Sequence, residues 1–421
     1  MVAPLKITAV ERIVVDVPFT ERCKEWNALL VNVSQWGIVE VIKVSTDAGI
    51  TGYGETVLHY SWGRVSDQAI ARVQGGNPAD FLGDDSLGPG LQMAMYDVVG
   101  KALGVPLSAL VGPRVREWCP IAWWNTKMAP HALAEEAREA VAAGYAFHKF
   151  KARPWFDVYE QVAAVGAVTP EHYRLDIDWN AMLLTAGDAA PVLRELDKVE
   201  RVAIYETPIP HADLEGYRQL RNQVVRPLAV HLKSQPFPAV IRGETCDGFV
   251  VEGGVGAMTR EEMICREFGK SYWLQMVGTG LTTALCAHLG SVFTHARWPA
   301  VTVMNNYADD LIVEPLTIRA GYVQAPTEPG LGVVVDEEAL ERYRMSPPYV
   351  HKERRHILTV GWPDRRQVHY ASMTQIWTDF LAGNHPVQER GVTFTVRLDD
   401  GSPEWTDLFE RAGRGPVHDV T

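Results

Sequence analysis

From residue 118 onward, short apolar runs alternate with amphipathic stretches. The apolar runs stand at 118–124, 147–152, 173–178, 202–206, 227–232, 248–252, 272–277 and 300–305. Between them lie helix-patterned stretches at 132–143, 156–165, 186–196, 214–224, 238–242, 259–268 and 282–294. Strand, helix, strand in strict order predicts a parallel sheet, and eight such runs predict a compact (β/α) barrel. No glycine-rich strand-to-helix turn of the dinucleotide type occurs, which argues against a doubly wound open sheet. Upstream the grammar differs. Alternating strands at 7–17, 38–46 and 50–55 surround the turn Asp47-Ala48-Gly49, and an apolar helix at 91–103 stops at Gly104 with Pro106 beyond. Residues 20–27 read as a polar, Trp-containing loop. Residues 1–117 are therefore expected to form an α+β unit, and 118–316 the barrel. A helix is expected at 336–343. The run 346–421 contains a strand-like stretch at 392–397, and Trp362, Tyr370, Trp377 and Phe380 favour a packed extension over a linker.

Composition narrows the function. The chain has 421 residues, 47% hydrophobic and 22% charged, with 40 Lys+Arg against 52 Asp+Glu and a net charge of −12. That is an ordinary globular composition. The absence of a long basic run excludes nucleic acid as an expected partner. Five cysteines, odd in number and without a CxxC pair, predict reduced thiols and a cytoplasmic setting. Residues 1–8 lack a signal pattern, and no apolar run reaches the roughly 20 residues of a membrane span.

The chemistry sits at strand ends. Arg174-Leu175-Asp176-Ile177-Asp178 and Val202-Ala203-Ile204-Tyr205-Glu206 are apolar strands that stop at a carboxylate. Period-2 alternation puts Lys149 and Lys151 on one face and Asp176 and Asp178 on one face. If those faces line the barrel, Lys151, Asp178 and Glu206 end three consecutive strands and share one cup. The competing reading, solvated lysines and ordinary salt bridges, must hold at three adjacent and otherwise apolar strands. Carboxylates from neighbouring strands suit a hard divalent cation such as Mg²⁺, and a lysine beside one can serve as a general base. Together they support removing a proton next to a carboxylate.

The sequence resembles the enolase superfamily, in its mandelate racemase/muconate lactonizing enzyme branch, over about residues 5–345. The resemblance rests on Thr46-Asp47-Ala48-Gly49-Ile50-Thr51-Gly52-Tyr53-Gly54-Glu55 and on the helix around Met95–Pro106. It continues in Lys149-Phe150-Lys151, Asp178-Trp179-Asn180, Glu206-Thr207-Pro208, Gly253-Gly254-Val255 and Pro329-Gly330-Leu331-Gly332. It implies a (β/α)7β TIM-like barrel under an α+β capping domain built from both chain ends, with 317–345 returning to the cap. It further implies Asp178 and Glu206 as metal ligands, Lys151 as base with Lys149 in support, and capping loops at 20–27 and 58–63.

The departures from the family pattern are specific. The fifth strand, where a third acidic ligand is expected, reads Pro227-Leu228-Ala229-Val230-His231-Leu232-Lys233 and carries no acid. His231 as a ligand would shift preference from Mg²⁺ toward Mn²⁺ or Zn²⁺. Alternatively, Lys233 supplies a positive charge and metal is weak or absent. No second lysine or histidine stands at the sixth or seventh strand end; only Glu252 is ionisable there. His288 reads as structural. Asn305 and Asn306 stand at the eighth. Asn180, Lys233, Glu252, Asn305 and Trp123 are candidate substrate contacts. Trp123, Trp124, Trp179 and Met276 would make the cup bulky and apolar. One clear base disfavours racemization. The leading expectation is a metal-dependent dehydratase of a hydroxycarboxylate such as a sugar acid. The alternatives are an epimerase or cycloisomerase, and a non-catalytic carboxylate binder. A small-molecule carboxylate substrate and a homo-oligomer are expected.

Overall fold

The computed structural model describes residues 5–420 apart from 31, 61 and 62. Its centre is a curled parallel sheet of seven strands in sequence order: Trp123–Asn125, Phe147–Lys151, Arg174–Asp178, Val202–Glu206, Leu228–His231, Gly248–Val251 and Ser271–Leu274. Helices on the outside connect them, from Pro130–Ala142 to Gly280–Val292. This is the expected TIM-like barrel with a cap. The eighth strand is reduced. Among the described residues, 300–305 contribute only isolated parallel bridges, Ile121 to Ala300 and Gln275 to Val301, which close the ring. Val303 is left-handed (φ 66°) and leads into a short 3₁₀ turn, Met304–Asn306, so the chain cannot run on as a strand. The run 118–124 is also divided. Trp118–Pro120 pairs with Tyr322–Gln324 in a separate small sheet, and only Trp123–Asn125 enters the barrel.

The cap is an antiparallel sheet of Ile7–Asp16, Ile38–Thr46 and Thr51–Val57, with the helix Pro89–Leu103 laid across it. The approach is close. A Cβ added at Gly54 would stand 2.1 Å from the Gly90 carbonyl oxygen, so the small residues of Gly52-Tyr53-Gly54 are dictated by packing. After the barrel the chain returns to the cap. The helix Glu337–Arg342 follows, the Asp16 amide donates to the Tyr343 carbonyl (2.8 Å), and Lys43 pairs with Glu337 (2.9 Å).

Residues 20–27 are not a loop but the helix Glu21–Ala28. Cys23 and Asn27, one turn apart, are buried against the barrel. Docking converges on Asn306: its carbonyl accepts from the Thr20 amide (2.8 Å), and its side-chain oxygen accepts from Asn27 (3.4 Å). A second junction is Glu55, fully buried, which accepts from the Thr279 and Thr282 amides at the start of a barrel helix (2.7 and 2.8 Å).

The extension folds on its own sheet, ordered Thr393–Leu398, His356–Gly361, Arg366–Tyr370, Val417–Val420, with the helices Met373–Leu381 and Pro403–Arg414. Its core of Leu358, Val360, Ile376 and Phe380 is continuous with Trp155, Phe156 and Met182, which follow the second and third barrel strands. The extension therefore sits at the C-terminal end of the barrel. No helix among the described residues is long and apolar enough to cross a membrane.

Candidate active site at the barrel mouth

Sheet register determines which side chains meet. Lys149 pairs with Asp176, and Lys151 pairs with Asp178, which pairs with Glu206. Glu206 pairs with Ala229, and Val250 with His231. Directly opposed residues of a parallel sheet share a face, so Lys149, Lys151, Asp178, Glu206 and His231 all face the barrel interior. Two backbone positions beyond the carboxylate strands are strained: Asn180 (φ 45°) and the β-branched Thr207 (φ 46°) are left-handed. Such conformations cost on the order of 1–3 kcal/mol each and collect where a site needs them.

Lys151 Nζ donates to Asp178 Oδ2 (2.6 Å) and to Asn180 Oδ1 (3.1 Å). Asn180 is fixed in turn, its amide donating to Asp178 Oδ1 (2.9 Å) and its side-chain oxygen also accepting from Arg153. Lys149 lies deeper. It contacts Glu206, stands 3.9 Å from Asp178, donates to Gln275 Oε1 (2.9 Å) and lies 4.9 Å above the Trp273 ring. The two lysines move apart in acidity. Burial lowers the pKa of Lys151; Asp178 opposes this, but Lys149 and Arg153 reinforce it. For Lys149 burial also acts downward, yet Glu206 and Asp178 outweigh it and raise the pKa. Asp178, despite burial, is held well below the carboxylate range by Lys151, Lys149 and Arg153.

On the facing wall, His231 stands between two carboxylates. Its Nε2 is 3.3 Å from Glu206 Oε1 and its Nδ1 is 3.5 Å from Glu252 Oε1. Burial would lower its pKa, but Glu206 and Glu252 together push it up to about 9. Gln275 Nε2 donates to the Tyr60 hydroxyl of the cap (3.1 Å), tying Lys149 to the capping segment. Residues 61 and 62 of the expected capping loop 58–63 lie outside the described residues.

The remaining candidates divide. Lys233 is at the rim, 57% exposed, bound to the Glu252 carbonyl and to Glu261 (both 3.0 Å). Asn305 uses both ends of its amide on the Trp124 backbone (3.0 and 2.9 Å), so it fastens the closing segment to the first strand. Trp123 pairs with outward-facing His148. Its indole donates to Glu136 (2.9 Å) under the helix Pro130–Ala142, so it does not face the cup; Trp124, opposite Lys149, does. His288 is structural, accepting from the Ser108 amide (3.3 Å) with its other nitrogen 3.0 Å from the Leu331 carbonyl oxygen. Two residues escaped the sequence reading. Arg153 continues the alternation Lys149, Lys151, Arg153 and could have been found by it. Lys127 follows the first strand and had no periodic signal. It is 2% exposed and borders a cavity of about 1100 Å³ that is also bounded by Tyr60 and, from the extension, Met373 and Trp377.

Two carboxylates, Asp178 and Glu206, converge from adjacent strands, and both Glu206 oxygens are buried without a hydrogen bond of acceptable geometry, held only at ion-pair distance. That donor set fits Mg²⁺, which commonly takes one or two protein carboxylates and completes its shell with water and substrate oxygens. Among the described residues no group of three or more His, Cys, Asp or Glu is arranged to hold a metal. His231 turns both ring nitrogens to carboxylates, which suits an imidazolium better than a ligand with a free lone pair.

Comparison with known proteins agrees with this fold. Residues 132–339 match the enolase C-terminal domain-like family. The chain is 26% identical over 287 residues to a D-gluconate dehydratase of Thermoproteus tenax, covering 61% of this chain but only 56% of that relative. It is 25% identical over 351 residues to a D-galactonate dehydratase of Xanthomonas oryzae pv. oryzae, covering 73% and 91%. The crystal structure of an enolase from Mycobacterium smegmatis complexed with tartrate superposes with a TM-score of 0.66 at 23% identity, covering 81% of this chain and 91% of that one. Residues 132–339 belong to the enolase C-terminal domain-like family, and the solved neighbour shares its fold over 81% of this chain.

Proposed function

We propose that the protein is a divalent-metal-assisted dehydratase that removes the α-proton of a hydroxycarboxylate of the sugar-acid class. An enzyme of the lyase or isomerase class is what its relatives support. The observation that carries the finer reading is the divergence of the two lysines. Lys151, lowered in pKa by burial and fixed by Asn180 at the cup, is suited to accept a proton. Lys149, raised and buried, stays cationic and balances the carboxylates.

Superfamily members bind a divalent metal. Asp178 and Glu206 would hold it here, and when bound it stabilises the negative charge that proton removal leaves on the carboxylate oxygens. This chain's residues do the rest. Lys151 takes the α-proton. Lys149, anchored by Glu206 and Gln275, offers positive charge to the substrate carboxylate. His231, kept protonated between Glu206 and Glu252, stands on the facing wall with a proton to give to a departing hydroxyl. The same His231–Glu252 pair favours the second reading, an isomerase with a facing acid.

The two readings separate in deuterated water with Mg²⁺ and a panel of sugar acids. A dehydratase yields a dehydrated keto acid that requires Lys151. α-Deuterium or epimer in recovered substrate, with no dehydrated product, selects the isomerase. Wild-type turnover by Lys151→Met rejects both assignments of the base.

A further inference from the structure

One side of the mouth carries three cations. Lys151 is answered by Asp178, and the Arg153 guanidinium is taken up by the Ala152 and Asp178 carbonyls and by Asn180. Lys127 is answered by nothing. Among the described residues neither a hydrogen bond nor an ion pair joins its ammonium, although the residue is only 2% exposed, and the charged groups that act on it are Arg153 and Lys151, both cations. A buried charge without a partner costs several kcal/mol, and burial, with Arg153 and Lys151 beside it, pushes the Lys127 pKa well down. Stability alone would place an apolar residue here, so the lysine answers a requirement that the folded chain does not itself meet.

The setting says what meets it. Lys127 borders the cavity of about 1100 Å³; of the other residues bounding it, the extension's Trp377 lies 6.0 Å from the Arg153 guanidinium and Tyr60 is bonded to Gln275 of the cup. An anion entering here would stabilise the charged form of this one uncommitted buried amine, since the two terminal nitrogens of Arg153 are already spent on carbonyl and amide oxygens. A single ammonium suits a carboxylate; a phosphate would call for an open, bidentate arginine. The substrate's reacting carboxylate belongs at the other end of the cup, beside Lys149 and Lys151. We propose that Lys127 receives a second carboxylate, so that the enzyme takes dicarboxylic hydroxy acids in preference to monocarboxylic ones of the same length. This rests on the cup being the substrate site, as in the function proposed above.

The test is equilibrium binding to the full chain with Mg²⁺, by titration calorimetry, using gluconate and glucarate, six-carbon polyhydroxy acids with one and two carboxylates. Wild type should bind glucarate about tenfold or more tightly than gluconate, the order of one desolvated ion pair. Lys127→Met should bring the ratio close to one, and Lys127→Arg should restore much of it. Removing an unanswered buried charge should leave the thermal midpoint of Lys127→Met at or above wild type. Equal affinities in wild type, no measurable glucarate binding, or an unchanged ratio in Lys127→Met overturns the proposal. A lowered midpoint with an unchanged ratio marks Lys127 as structural. The catalytic reading fails separately: if Lys151→Met still exchanges the α-proton, the base is misassigned, while the glucarate preference is read on Lys127 regardless.

Discussion

The wall of the barrel mouth carrying Lys149 and Lys151 and the wall facing it carrying His231, Glu252 and Gln275 are built from the same strand-end positions but to opposite ends. On the first wall two lysines of one strand sit at different depths, and their charged neighbours separate their proton affinities: burial lowers both, but the deeper is locked between carboxylates while the shallower also has cationic neighbours. On the second wall a single histidine lies between two carboxylates and is driven toward its charged form. In the function proposed above, one wall would accept a proton and the other would hold one. Asymmetry of this kind fits elimination, in which a proton leaves one atom and a hydroxyl leaves its neighbour, better than symmetric exchange at one carbon.

The comparison breaks most sharply at Lys151. Lys151→Met should lower turnover about 10³-fold, within the usual range for a lost general base, and abolish solvent-deuterium incorporation, read by mass spectrometry. Bound Mg²⁺ measured by elemental analysis should persist, since Asp178 and Glu206 remain. Loss of metal together with activity would mean that Lys151 acts on the site's assembly instead of on the proton.

Next in size is the carboxylate layer that both walls share. Glu206→Gln leaves Lys149, fully buried, without its main counter-charge. Removing one partner of a buried pair costs about 3–5 kcal/mol, measurable as a shift in the urea midpoint in chelated protein. The same variant should lose stoichiometric Mg²⁺. Retention of both stability and metal would show that Glu206 serves neither wall.

The facing wall is sharpened by pH. In protein stripped of divalent ions, His231 should titrate near 9 by NMR, against 6.5 for an ordinary histidine. Because its folded pKa lies above the unfolded one, its contribution to stability is complete below about 6.5 and is lost as pH rises through 9. Glu252→Gln, which removes one of the two flanking carboxylates, should draw that titration down toward neutrality. An unmoved titration would leave Glu206 as the sole cause.

Much of this arrangement was legible because strands impose a period of two. Lys149 with Lys151 and Asp176 with Asp178 needed only alternation, and the strand–helix rhythm gave the barrel. What the rhythm could not supply was register between strands. Trp123 and Trp124 were both expected in the cup, which alternation forbids for neighbours on one strand, and which of the two stands opposite Lys149 depends on a pairing that no local pattern encodes. The helix Glu21–Ala28 was hidden for a related reason. Its polar sequence buries only Cys23 and Asn27, and its stability comes from docking on Asn306, 279 residues away from Asn27. The closing segment 300–305 reads as a strand by composition, yet left-handed Val303 stops it. Lys127 was silent because an unpaired buried lysine looks, in sequence, like any surface lysine.

The smallest effect separates the interior of the barrel from its outside. Trp123→Phe keeps the aromatic packing against Tyr145 (rings 5.1 Å apart) and deletes one hydrogen bond, the indole's to Glu136. Glu136 retains Arg22 and Asn125 (both 3.0 Å), so no buried charge is left unpaired and the cost should be about 1 kcal/mol. Because this side chain faces the helix layer, KM for any accepted sugar acid should change less than about twofold. Trp124→Phe, one residue further along, alters the inward layer that lies opposite Lys149 and packs against Trp36 (5.6 Å) and should change KM by more than its effect on stability implies. If Trp123 moves KM as much as Trp124 does, the register that assigns inward and outward faces is wrong at the first strand, and the two-wall description must be redrawn from there.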